Sequence, residues 1–277
     1  MSGILYVVGT PIGNLSDFSP RAVETLKMVD FIAAEDTRVT IKLLNHFDIH
    51  TPMVSYHKFS DWDRGEEICR RILSGENCAI VTDAGMPCIS DPGEVLVGRC
   101  AELGITVAAV PGPTALCSAL AISGLPTGRF TFEGFLSVNK PGRRDHLNSL
   151  IKEQRTMIFY EAPHKLANTL NDMYKVFGDR RISIVRELTK IHEQVIRTTL
   201  SEAVKDFGDG SIKGEIVLVV AGAEPEKPEE DTLESAAELA RKLMDGGMSA
   251  SAASKEAAGL TGFKKGEIYK MLLENSS

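Results

Sequence analysis

Short apolar runs along this chain break again and again into polar or glycine- and proline-containing loops. Ile4–Val8, an unbroken β-branched and aromatic run, reads as a strand buried on both faces. It stops at Gly9-Thr10-Pro11-Ile12-Gly13-Asn14-Leu15, where glycines permit a tight turn and a close backbone approach to a ligand, and Pro11 stiffens the turn. Phe31–Ala34 likewise ends at Glu35-Asp36-Thr37-Arg38, Cys78–Val81 at Thr82-Asp83-Ala84-Gly85-Met86-Pro87, and the run 107–110 at Pro111-Gly112-Pro113-Thr114. Helical patterns at 21–28 (after the capping pair Ser19-Pro20), 66–73 and 94–103 fall between these runs. The alternation predicts an α/β fold with a mostly parallel sheet. All four loops should then gather on its carboxyl edge, where open α/β folds take ligands.

From about 120 onward the strand-like runs (130–135, 156–160, 182–185, 194–199 and 215–220) lie closer together, with helical patterns at 145–152 and 164–176. A mixed sheet is expected there. The acidic segment 224–232 has the composition of a linker. Three short helical patterns follow at 233–244, 250–260 and 264–273, separated by Gly246-Gly247 and Thr261-Gly262. They suit either a helix-turn-helix-like appendage or a small packing bundle. The expected organisation is therefore an α/β domain over 1–119, a second over 120–223, a linker over 224–232 and a helical appendage over 233–277.

Composition adds limits. Of the 277 residues, 43% are hydrophobic and 25% charged, as in a water-soluble globular protein, and the apolar runs are far too short to span a bilayer. Met1-Ser2-Gly3 lacks the basic flank and apolar core of a signal peptide, so a cytoplasmic location is expected. Cys69, Cys78, Cys88, Cys100 and Cys117 are odd in number and unpaired in spacing, which points to reduced, mostly buried thiols rather than a metal site. The net charge of −7 owes −4 to residues 224–231 alone, while basic pairs stand at Arg70-Arg71, Arg143-Arg144, Arg180-Arg181 and Lys264-Lys265. The charge argues against avid binding of arbitrary nucleic acid without excluding RNA.

The loops are more specific together than singly. The four above, with Ser55-Tyr56-His57, Cys88-Ile89-Ser90-Asp91-Pro92-Gly93, Glu161-Ala162-Pro163-His164 and Arg186-Glu187-Leu188-Thr189-Lys190, occur in an order that resembles the RsmI family. These are bacterial 16S rRNA cytidine 2′-O-ribose methyltransferases, within the tetrapyrrole-methylase superfamily. The resemblance covers essentially the whole chain. It implies two α/β domains with S-adenosylmethionine in a cleft between them, a homodimer, and a small-subunit rRNA substrate. It places the cofactor against Pro11, Gly85, Cys88, Ser90, Thr114, Ala115, Glu161, Leu188, Gly214 and Glu215. Each of those glycines is equally readable as a turn, and Cys88 as core packing. Asn14 stands where tetrapyrrole enzymes carry an acid, and Asp83-Ala84-Gly85 where they carry a GDP-like turn; both departures favour the RNA branch.

Methylating a ribose hydroxyl is an in-line displacement that needs alignment, a proton acceptor and no metal. Glu35, Asp36 and Arg38 are the first candidates for the reacting edge: Asp36 to orient or deprotonate the hydroxyl, Arg38 to clamp a phosphate. The competing reading of the same residues is an Asp–Arg ion pair capping the next helix. For RNA contact the candidates are Arg38, His57, Lys58, Arg143, Arg144, His164, Lys165, Arg186, Lys190, Lys264 and Lys265, with Tyr56, Phe59 and Trp62 as stacking or core aromatics. A tetrapyrrole C-methyltransferase and a non-catalytic ribosome-assembly protein are the rival functions.

Overall fold

The computed structural model describes residues 2–57, 62–210, 212–225 and 232–274. Two compact units emerge, Met1–Ala223 and Glu224–Ser277. The first unit holds two sheets.

The first sheet comprises β1 (Ile4–Val8), β2 (Phe31–Ala34), β3 (Met53–Ser55), β4 (Cys78–Val81) and β5 (Thr106–Val110), in the order β3-β2-β4-β1-β5. All its pairings are parallel, as the alternation predicted. Helices α1 (Pro20–Met28), α2 (Thr37–His46), α3 (Trp62–Leu73) and α4 (Glu94–Glu102) make the crossovers. Every residue of β2 and β4 is buried, which accounts for their unbroken apolar runs. Ser19 accepts from Ala22 N at 3.1 Å and Pro20 opens α1, fixing where that helix starts. Helix α2 entered the sequence reading only as the helix that an Asp36–Arg38 pair would cap, and Asp36 is its N-cap.

Helix α5 (Ala115–Ser123) contains the expected boundary at 119/120. It packs on the second sheet, where Leu116, Ala119 and Leu120 cluster with Ile158, Val185 and Val219. That sheet runs β6-β7-β10-β8-β9, from β6 (Phe130–Phe135), β7 (Thr156–Glu161), β8 (Arg181–Arg186), β9 (Gln194–Thr199) and β10 (Ile216–Val220). Only β6 and β7 pair in parallel, so the sheet is mixed, as expected. Helices α6 (Lys140–Ser149), α7 (Leu166–Phe177) and α8 (Leu200–Phe207) cover its other face around Leu147, Phe159, Leu170 and Leu218. Helix α6 begins at Lys140 rather than 145, so Lys140–Arg144 is helix and not a loop.

The second unit is built from α9 (Leu233–Asp245), α10 (Ala250–Thr261) and α11 (Lys265–Glu274). Ala236, Ala240, Ala253, Ala257, Ile268 and Leu272 form its own small core. A reciprocal capping box between Thr232 and Ser235 starts α9. Gly262, in the left-handed region at φ 79°, ends α10 and leaves a short turn to α11.

Candidate functional site

The loop after β1 is zipped to the loop after β4. Thr10 N donates to Gly85 O at 2.9 Å and Gly85 N returns to Thr10 O at 3.2 Å, while the Thr10 hydroxyl donates to Thr82 O at 3.1 Å. Gly85 can take this position because its φ of 91° suits glycine. The joined loops form one wall of a cavity of about 470 Å³ within the first unit. Ile12, Met86 and Ile89 give that wall its apolar surface; Leu116, Tyr160, Val185, Leu188 and Val217 give the opposite one, from α5 and the second sheet. Polar lining comes from Glu35, Thr82, Asp83, Ser90, Asp91, Thr114, Glu161 and Glu215. Five of these side chains are carboxylates, and among the described residues no lysine, arginine or histidine lines the cavity. Such a cleft favours a cationic ligand with a flat apolar part over one rich in phosphate.

The carboxylates differ in how well they are satisfied. Glu161 is buried and accepts from Ala162 N at 2.8 Å and from the Thr169 hydroxyl at 2.5 Å. Glu35 accepts from the Thr82 hydroxyl at 2.5 Å, and Asp83 accepts from Asp36 N at 3.2 Å. Glu215 lies largely exposed, 3.1 Å from Lys190 Nζ. Burial and the neighbouring Glu35 push the Asp83 carboxyl above the ordinary range. Asp91 is pushed up to about 6, chiefly by burial and then by Glu35, against a smaller lowering by Thr82.

Of the residues the resemblance assigned to the cofactor, Gly85, Ser90, Thr114, Ala115, Glu161, Leu188 and Glu215 line the cavity. Pro11 is buried one residue behind Ile12. Cys88 does not line it: it packs on the core of the first sheet beside Gly93, and burial pushes its thiol up to about 11. Gly214 is also outside the lining. It is a turn glycine at φ 92°, and a Cβ there would overlap the Glu187 side chain at 2.5 Å.

Among the reacting-edge candidates, only Glu35 reaches the cavity. Asp36 caps α2, accepting from Arg38 N at 2.8 Å, and pairs with the Arg38 guanidinium through Nε at 3.0 Å and Nη2 at 2.7 Å. The side-chain and backbone hydrogen bonds from Arg38 hold the Asp36 carboxyl down to about 2. A carboxylate so stabilised is a weak base, and the ion-pair reading of this segment matches the geometry. Arg38 itself is 88% exposed and presents its guanidinium to solvent.

Arg143, expected to meet RNA phosphate, is instead buried: Nη2 lies 2.7 Å and Nε 2.9 Å from Asp172 Oδ2. The same carboxylate draws in Arg144 at 3.4 Å, which is half exposed. Arg186 donates to Lys213 O at 3.1 Å and Gln194 Oε1 at 3.2 Å, tying the ends of strands together. Lys190 sits 3.1 Å from both Glu187 and Glu215. His164 and Lys165 follow directly on the lining residues Ala162 and Pro163, with His164 exposed. His57 is exposed, Tyr56 belongs to the core of the first sheet, and Lys58, Phe59 and the Trp62 side chain lie outside the described residues. Lys264 and Lys265 are exposed at the start of α11, Lys265 Nζ donating to Ser251 Oγ at 2.9 Å. Sequence reasoning passed over Asp83, Asp91 and Tyr160 as lining groups; for Asp91 the available signal was an acid in the long loop after β4, directly before Pro92-Gly93.

The family model of Tetrapyrrole (Corrin/Porphyrin) Methylases matches residues 4–204. The solved methyltransferase CobJ superposes with a TM-score of 0.61 at 18% identity, over 82% of this chain and 97% of that one, a likeness of fold. Fold and cleft thus define a methyltransferase of the tetrapyrrole-methylase class. Ribosomal RNA small subunit methyltransferase I of Synechocystis sp. is 50% identical over 98% of both chains. The protein of that name from Thermotoga maritima is 48% identical over 222 residues, which cover 80% of this chain and 100% of its own length. The chain belongs to the ribosomal RNA small subunit methyltransferase I family, whose methyl donor is S-adenosylmethionine. The residues present fit that donor: the cleft's carboxylates suit a sulfonium, and its apolar walls suit an adenine.

Proposed function

We propose that this protein methylates the 2′-hydroxyl of a cytidine ribose in 16S rRNA of the small ribosomal subunit. The observation that carries this reading is the division of charge around the cleft. Carboxylates line it, while exposed Arg38 and His164, together with half-buried Lys165 and Lys190, flank its lining loops. A cationic donor inside and a polyanion outside suit that division. Gly85, Ser90, Thr114, Ala115 and Leu188 would hold the adenosyl part of S-adenosylmethionine, which supplies an electrophilic methyl on sulfur. Glu35 would shape the polar end of the cleft, and the Asp36–Arg38 pair would present the Arg38 fork to a backbone phosphate. His57, Arg186, Lys264 and Lys265 complete the proposed RNA contacts. A homodimer acting in the cytoplasm accords with this reading, and among the described residues no helix is long and apolar enough to cross a membrane.

The decisive experiment is transfer of radiolabelled methyl from S-adenosylmethionine to small subunits and to free rRNA from cells lacking the protein, with mapping of the modified nucleotide. Label on one cytidine ribose is expected. Incorporation into neither substrate, or label on a porphyrinoid instead, would overturn the proposal.

A further inference from the structure

An irregularity in β6 decides where one aromatic ring points. Along its pairing with β7, Phe132 stands opposite Ile158, Gly134 opposite Phe159 and Phe135 opposite Tyr160, which leaves Glu133 as the extra residue of a bulge. Side chains alternate along a regular strand, so without the bulge Phe132 and Phe135 would point to opposite faces. With it they share a face, and both rings meet Tyr160 edge to face, at centroid distances of 4.9 Å and 5.5 Å. Gly134 permits the bulge with its φ of 63°, and it runs close to the opposite wall of the cleft: a Cβ on it would lie 3.4 Å from Ser90 Oγ. Phe135 is thereby turned onto the lining of the cavity, yet it stays 57% exposed.

A lone apolar residue on a surface needs no explanation, but one turned into a ligand cleft by a bulge does. The apolar lining falls into two sets. Ile12, Leu116, Val185 and Val217 are buried and form the enclosed surface that suits an adenine. Phe135 and Ile89 are both well exposed and come from facing walls, so they stand where a second ligand enters. Tyr160 steadies the Phe135 ring: its hydroxyl accepts from Leu116 N at 3.2 Å, which ties it to α5, and its ring holds Phe135 by an edge contact. A ring held in this way and open to solvent offers a stacking platform to a flat, uncharged base. We propose that Phe135 stacks on the target base of the RNA, a pyrimidine withdrawn from its neighbours, and so holds the attached ribose against the methyl donor; this rests on the ribose-methylation reading above.

The test separates an aromatic face from mere apolar bulk. Phe135→Tyr keeps the face, Phe135→Leu keeps only the bulk, and Phe135→Ala keeps neither. Methyl transfer to modification-free small subunits is measured for wild type and the three variants. Affinity for S-adenosylhomocysteine is taken by calorimetry, and molecular mass by light scattering. Expected is a fall in kcat/KM of about 10–100-fold for Phe135→Ala and Phe135→Leu alike, with Phe135→Tyr within about threefold of wild type. S-adenosylhomocysteine should bind all three variants within about twofold of wild type, and their mass should not change. Phe135→Leu as active as wild type, or Phe135→Tyr as poor as Phe135→Leu, would overturn the stacking role. Donor-product binding weakened tenfold in Phe135→Ala would give the ring to the adenine instead, and a fall in mass would give it to a contact between copies of the chain; either result overturns the proposal. In each of these cases transfer by the wild-type protein leaves the ribose-methylation reading in place, whereas no transfer by the wild-type protein would overturn both.

Discussion

The backbones of Gly9 and Gly112 touch: a Cβ on Gly9 would lie 2.6 Å from Gly112 Cα, and one on Gly112 would lie 2.7 Å from Gly9 Cα. The loops after β1 and β5 thus meet main chain to main chain, and Met86 of the cleft wall packs at the same point, its Sδ 2.7 Å from where a Cβ on Gly9 would lie. Neither backbone can rotate out of the way as a side chain would. Gly112→Ala is therefore expected to cost about 1–3 kcal/mol and to lower the melting temperature by several degrees. It should also weaken binding of S-adenosylhomocysteine, because the strain falls on the loops that shape the cleft. Calorimetric melting and titration would check both, and an unaltered melt would show that the loops part freely.

Arg143 and Asp172 pose the opposite case, a charge pair that belongs to the core and not to a substrate. Arg143→Ala leaves Asp172 buried without its main partner, an expected loss of about 3–5 kcal/mol. Arg144→Ala removes only the longer, half-exposed contact and should cost far less. The pH sign follows from Asp172, which the two arginines hold below the usual carboxylate range despite its burial. Its contribution is present above the unfolded value near 4 and fades as pH falls through the lower folded value. The deficit of Arg143→Ala should accordingly narrow in acid, seen as converging melting curves between pH 7 and pH 3. A deficit independent of pH would assign it to packing of the guanidinium stem instead.

The contrast between these residues shows what a sequence carries. Strands β2, β4 and β10 were legible because each buries every position, and β1 because none of its positions is exposed, which favours an unbroken apolar run. Strand β3 has three residues at a sheet edge and leaves almost no pattern. Helix α5 has apolar residues on nearly all sides, so it shows no amphipathic period. Pro141 and Gly142 read as loop punctuation, although proline also suits a first helical turn, and that mistake put Arg143 on the surface. The cleft was legible through its glycines and small residues. Asp91 was not, because it shares the cavity with Glu35, distant in sequence and placed there through the β2–β4 pairing.

Asp36 and Arg38 should act on rRNA rather than on the donor. With its carboxyl held to about 2, Asp36 is ionised across the working range, so Asp36→Ala should leave the shape of the pH–rate profile unchanged between pH 5 and 9. It should instead free the Arg38 fork and uncap α2, lowering kcat/KM for rRNA by roughly tenfold while donor affinity holds. Arg38→Ala should do the same and flatten the dependence on salt, since one phosphate contact goes with it. Rates from pH 5 to 9 at two ionic strengths would test this; a pH profile reshaped by Asp36→Ala would show instead that Asp36 takes up a proton in the reaction.

Removal of residues 224–277 tests the helical unit. Every residue lining the cleft lies in Met1–Ala223, and the three C-terminal helices bury Ala236, Ala240, Ala253, Ala257, Ile268 and Leu272 in a core of their own. The cleft should therefore keep its shape, and S-adenosylhomocysteine should bind the truncated protein within about twofold of the full chain. The unit's exposed Lys264 and Lys265 lie at the start of α11, the position from which a second helix after a short turn meets nucleic acid. Its loss should then raise KM for small subunits by about tenfold or more with kcat little changed, and Lys264→Glu with Lys265→Glu in the full chain should reproduce much of that rise. Equal activity of truncated and full-length protein on subunits would assign the helices to packing alone, whereas loss of donor binding would show that the first unit needs them to fold.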